Sequence, residues 1–148
     1  MTDINVFTKL LSVREKERRD AEIAHQASTQ TFEMVATKLY KILKKKEDME
    51  VFYTNSLQKI TIDRLREQQD YIESLKQQII ELQARVSEAR TQMESSQYKL
   101  SQSHIEVKKF ETIIDMRREE QRQEEKKQEQ LSMDDISMQQ YLSKRLGV

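Results

Sequence analysis

From Leu65 to Ile114, apolar residues return at alternating steps of three and four. The series runs Leu65, Gln68, Ile72, Leu75, Ile79, Leu82, Val86, Ala89, Met93, Ser96, Leu100, Ser103, Val107, Phe110 and Ile114. The positions that start at Leu65 and repeat every seven residues are all apolar. Those that start at Gln68 are apolar or small after Gln68 itself. A heptad pattern held this long predicts a helix with a narrow apolar stripe, and a stripe of that kind needs a second helix to shield it from water.

A second heptad series begins at Ile4. It passes through Phe7, Leu11, Arg14, Arg18, Ala21, His25, Ser28, Phe32, Val35, Leu39, Ile42, Lys46, Met49 and Tyr53. It is apolar at both ends and from 32 to 42, but Arg14, Arg18, His25, Ser28 and Lys46 interrupt it. The series fades after Tyr53, and Asn55 and Ser56 are poor interior helix residues. Thr61 can cap a new helix starting at Ile62, with Asp63 in its first turn. A turn over 57–61 therefore separates a first helix of about 4–57 from a second of about 62–130.

Folding the chain back at this turn sets residue i opposite residue 119 minus i, to within a few places. Ile114 then lies beside Ile4 and Phe7, so both seams stop together. The turn is placed by its local residues alone, so the agreement at the far ends is independent support for an antiparallel hairpin within one chain. Each arm spans about 80 Å at the helical rise of 1.5 Å per residue. The expected fold is all-α: one coiled-coil domain over 1–148, a long antiparallel two-helix hairpin with a C-terminal helical overhang.

Beyond Ile114 the seam ends, and residues 117–130 are polar and charged throughout. Arg117 with Glu120, Glu119 with Arg122, and Lys126 with Glu129 stand three apart and support a solvated helix. From Leu131 the character changes again. Ser132 followed by Asp135 resembles a capping box, while Lys144 and Arg145 suit a helix end. Met133, Ile136, Met138, Tyr141, Leu142 and Leu146 form an apolar set too small to fold alone. This amphipathic tail, 131–148, either docks on a partner or frays.

Composition narrows the picture further. Of 148 residues 36% are hydrophobic and 35% charged, with no Pro and one Gly, at 147, so long helices have almost no breakers. Equal numbers of basic and acidic residues, 26 each, argue against a general nucleic-acid binder. The absence of cysteine excludes disulfides and thiolate chemistry. No apolar run approaches the roughly 20 residues that span a bilayer, and no signal peptide opens the chain, so it reads as soluble and cytoplasmic without direct membrane insertion.

Catalysis needs groups converging in a sheltered pocket, which a two-helix hairpin lacks, so the reading is not an enzyme. His25 falls in the first seam and His104 beside the second, with no companion ligand at i+4 from either, so no metal or other cofactor is expected. Two exposed features stand out. Val51, Phe52 and Tyr71 flank the seam near the turn, either as an apolar patch or as a widening of the seam. Arg14, Lys16, Arg18 and Arg19 map near Lys108, Lys109, Arg117 and Arg118, with Glu15, Glu17 and Glu111 interleaved as on an ordinary solvated face.

The ends of the chain carry a resemblance. Val6-Phe7-Thr8-Lys9-Leu10-Leu11, with Val13-Arg14-Glu15-Lys16-Glu17 and Ala21, resembles the opening of the flagellar FliJ family. Glu106-Val107-Lys108-Lys109-Phe110-Glu111 and Met133-Asp134-Asp135-Ile136-Ser137 resemble Bacillus-type members. The resemblance implies a non-enzymatic part of the flagellar type III export apparatus, built like the central stalk of rotary ATPases, peripheral at the flagellar base on the cytoplasmic side of the inner membrane. It implies three partners: a hexameric export ATPase, a membrane export gate protein and export chaperones.

The end holding both termini would enter the ATPase ring, with Arg14, Arg18, Arg117, Arg118, Arg122, Ile136, Tyr141 and Leu142 as candidate contacts. The gate patch of the family runs Gln-Gln-aromatic-aliphatic-x-x-Leu, and here Gln68-Gln69-Asp70-Tyr71-Ile72-Glu73-Ser74-Leu75 departs from it at Asp70. Phe52, Tyr71 and Leu75 are the candidates for that contact. The free chain is expected to be a monomer. The rival readings are a dimeric coiled-coil scaffold and an adaptor lying on membranes by its tail, the latter disfavoured by Asp134 and Asp135.

Overall fold

The computed structural model describes residues 2–147, with side chains from residue 3. Two helices account for nearly all of it: α1, Thr2–Ser56, and α2, Ile62–Arg145. They pack against each other in an antiparallel hairpin, and no strand occurs among the described residues. Every position of both heptad series is buried or half-buried, whereas most neighbouring positions are exposed. A seam between two helices is only one side chain thick, which is why even its apolar members are mostly half-covered.

The turn is built from backbone and one side chain. Lys59 N donates to Ser56 O at 3.0 Å, closing the end of α1, and Leu65 N donates to Thr61 O at 3.0 Å, opening α2. The Thr61 hydroxyl accepts from Arg64 N at 3.4 Å, the bond by which an N-cap satisfies one of the free amides of a first turn. At the far end Gly147 adopts φ of 71°, a left-handed conformation that costs glycine nothing, and its amide reaches back to Lys144 O at 3.4 Å.

Contacts divide the chain into two units. The first joins α1 up to Glu17 with α2 from Ser103 onward. Its core is Val107, 1% exposed, and Ile114, with the rings of Phe7 and Phe110 centred 6.4 Å apart and tilted by 44°. The second unit, Arg18–Gln102, contains the turn and has Ile72, Leu75, Ile79 and Ala89 at its centre. Arg90 lies 5.8 Å over the Phe32 ring, Lys45 lies 5.5 Å over the Tyr71 ring, and His25 meets Ser96. Each of these pairs fits the antiparallel pairing expected from the heptads.

The tail differs from its sequence expectation in one respect. Ser132 and Asp135 resemble a capping box, yet α2 runs through them without a break to Arg145. Nothing in 117–131 stops a helix, since neither Pro nor Gly occurs there and Glu, Lys, Gln and Arg are good helix formers. An amide inside a continuous helix already has a carbonyl four residues back, so Ser132 has no free donor to cap.

Candidate partner-binding surfaces

In the first unit the seam ends on a charged and aromatic corner. Arg14 occupies a seam position because the heptad puts it there, and its guanidinium lies 5.8 Å over the Phe110 ring. Its Nη1 donates to both carboxylate oxygens of Glu17, at 3.1 and 2.9 Å. The Glu17 hydrogen bond, the Glu17 charge and more distantly Glu106 hold the Arg14 guanidinium above its usual pKa, so the cation is fixed. The Nε atom is buried without a hydrogen-bond partner. Such a cation inside a seam weakens packing and exposes a directed charge at the same time.

Beyond Ile114 the same unit carries the overhang. Every side chain from Asp115 to Gly147 is exposed apart from half-buried Gln121. Arg117 pairs with Glu120 at 3.7 Å, and Arg122 pairs with Glu119 through Nε at 3.1 Å and Nη2 at 2.7 Å. The third expected pair, Lys126 with Glu129, does not close among the described residues. Gln123 also donates to Glu119 at 3.1 Å. These donors, Arg122 first, pull the Glu119 carboxyl down to about 2, and the same pairing raises Arg122. Arg118, Ile136, Tyr141 and Leu142 stand free to solvent, Tyr141 at 62% exposure and Leu142 at 48%.

Arg18 belongs to the second unit. It too sits half-buried in the seam with an unpartnered Nε, 3.9 Å from Glu22. The structure thus brings Arg14 together with Phe110 and leaves Arg117 and Arg122 in pairs along one helix.

The patch near the turn is also in the second unit. Tyr71 is 37% exposed and its ring is held by Lys45, while Phe52 is 52% exposed and makes no ring contact with Tyr71. Leu75 is only 1% exposed. As a candidate contact it is therefore withdrawn from the surface, because its heptad position turns it into the seam. Its part is to fix the helix that displays Tyr71.

One cluster was not foreseen, since His25 and Ser28 read as interruptions of the first seam and Ser96 as a small member of the second. His25 Nδ1 lies 3.2 Å from Ser96 Oγ, and Ser28 Oγ lies 2.6 Å from the same atom. The signal was present as polar residues at seam positions of both helices, but only the pairing shows that they meet. His104 is exposed, and no group of three His, Cys, Asp or Glu residues among those described is arranged to hold a metal ion. Among the described residues no helix is long and apolar enough to cross a membrane.

Heptad seams, a capped turn and an unpaired helical extension define an antiparallel coiled-coil hairpin. Within that class the chain belongs to the flagellar FliJ protein family, whose model matches residues 4–146. A flagellar FliJ protein of Bacillus subtilis (strain 168) is 36% identical over 106 residues, covering 71% of this chain and 72% of the relative. No solved structure matches the chain.

Proposed function

We propose that this protein is a non-enzymatic component of flagellar protein export that acts by contact. In this reading α2 beyond Ile114 engages the hexameric export ATPase, the Tyr71 patch contacts the membrane export gate, and export chaperones are a third class of partner. Its place is the cytoplasmic side of the flagellar base. The observation that carries the reading is the overhang, a continuous helix over 117–145 with charge first and apolar side chains after, and no helix among the described residues covering it. A helix of this kind gains most when a lined cavity or groove supplies the missing contacts.

Coupling in this scheme is mechanical. ATPase subunits in different nucleotide states contact the helix differently, and those differences in binding free energy bias which state each subunit adopts. Arg14, raised above Phe110 and locked in its charged form, supplies a cation at the base of the overhang. Arg117, Arg118 and Arg122 extend the charge, and Ile136, Tyr141 and Leu142 supply apolar anchors.

Removing residues 131–148 tests the scheme. ATP turnover by the cognate export ATPase, titrated with full-length and truncated protein, should lose its response to the truncated form. An unchanged response with normal motility overturns the assignment of the tail. Tyr71→Ala should leave helicity intact and weaken binding to the gate protein. If gate binding is untouched, the patch has only a packing role.

A further inference from the structure

The turn over 57–61 contains neither Gly nor Pro, the residues that fix a bend by their backbone geometry. A bend made of ordinary residues can migrate along a heptad repeat, because each slip of seven restores an apolar face to an apolar face. Something in the seam must therefore hold the register. Within the second unit one layer meets that need.

At this layer both helices turn polar and small. Ser96 Oγ lies 3.2 Å from His25 Nδ1 and 2.6 Å from Ser28 Oγ, and the two hydroxyls are also within reach of backbone carbonyls, Ser28 of His25 O at 2.9 Å and Ser96 of Met93 O at 2.8 Å. The two hydroxyl protons cannot serve both backbone bonds and the contact between the serines at once. If both hydroxyls point to backbone, the Nδ1 of His25 must carry the proton shared with Ser96. Ala21, Ala24, Gln92, Ser95, Ser96 and Lys99 line a surface depression of about 340 Å³ beside the layer.

We propose that the His25–Ser28–Ser96 layer is a register lock, one that fixes which residue of α2 each residue of α1 faces at some expense of stability. A slip of one heptad in one direction sets Ser96 between Phe32 and Val35. The opposite slip sets His25 and Ser28 against Ala89. In the first slip Ser103 takes the place of Ser96 opposite His25 and Ser28, so that only Ser96 loses its partners; in the second, His25 and Ser28 lose theirs. The loss of partners by half-buried polar groups is the penalty by which a polar layer selects one arrangement of a coiled coil. In an in-register parallel pairing with a second copy, Lys46 would face Lys46 across the seam, so that alternative is disfavoured by like charge.

The test uses the full chain, in which cysteines introduced at Gln30 and Gln78 are the sole spin-label sites because the native sequence has none. The native layer should give one narrow distance distribution. The triple variant His25→Leu, Ser28→Leu, Ser96→Leu should raise the thermal midpoint by about 5 °C or more. It should also split the distribution, with a second population displaced along the helix axis by about 10 Å, seven residues of helical rise. A single narrow distribution in the triple variant overturns the lock, and so does a lowered midpoint with the register kept. Should the leucines prevent folding, the double variant Ser28→Ala, Ser96→Ala removes the hydroxyls without adding bulk. It should broaden or split the distribution, and a native, narrow distribution there overturns the proposal equally.

Discussion

Two stretches of the same helix are governed by different physics. Between Leu65 and Ile114, α2 carries a buried seam in which Leu75 is 1% exposed. Between Arg117 and Arg145 it carries apolar side chains such as Leu142 that remain 48% exposed. Both stretches are helical without interruption. The first owes its helix to the apolar seam it shares with α1. The second rests on helix propensity and on exposed, individually weak pairs such as Arg122 with Glu119. Helical structure by itself is thus no sign of a stable core. The unpaired stretch is the part whose stability a partner can change most.

Truncating the seam should show the largest contrast. Leu75→Ala should cost about 2–4 kcal/mol, the transfer term plus the cavity left behind, and lower the unfolding midpoint of the chain. Leu142→Ala should stay within about 0.5 kcal/mol, as exposed substitutions do. Equal losses would erase the distinction between the two stretches.

Hydrogen exchange sharpens the same comparison residue by residue. Amides from Leu65 to Ile114 should exchange through opening of the hairpin, while those from 117 to 145 exchange orders of magnitude faster through fraying. Comparable protection in the isolated protein would mean that something covers the overhang.

Arg14 sits at the border of the two regimes. Replacing it by leucine removes an unpartnered buried Nε from the seam, and a gain in stability is expected, read from denaturant midpoints. The same change should weaken ATPase binding under the proposed scheme. A loss of stability would show that the contacts with Glu17 and Phe110 outweigh the buried atom.

The smallest effect concerns pH. Glu119 is held at about 2 in the folded chain against an ordinary value of 4.5, chiefly by the hydrogen bond from Arg122. Its contribution to the overhang helix is fully present above pH 4.5 and is lost as pH falls through about 2. Helicity of the overhang should decline in that window, and Glu119→Gln should abolish this part of the decline. The site is solvent-facing, so added salt should shrink the effect.

Much of this architecture is written along the chain. The heptads of Leu65 to Ile114 and Ile4 to Tyr53 name the positions that become buried or half-buried, because a fixed period leaves a helix only one face to hide. Thr61 marks the start of α2 through its hydroxyl, and the loss of apolar residues after Ile114 marks the overhang. The capping box at Ser132 misled, since a local motif has no force inside a helix whose amides are already bonded.

Periodicity is a property of one helix and can be read from one helix. Pairing is not, because it depends on which of several equivalent registers brings compatible groups together. That Ser96 meets both His25 and Ser28, and that Arg14 comes to rest over Phe110, were settled only when the two helices met. Residues distant in sequence interact through distances and angles that no local pattern encodes.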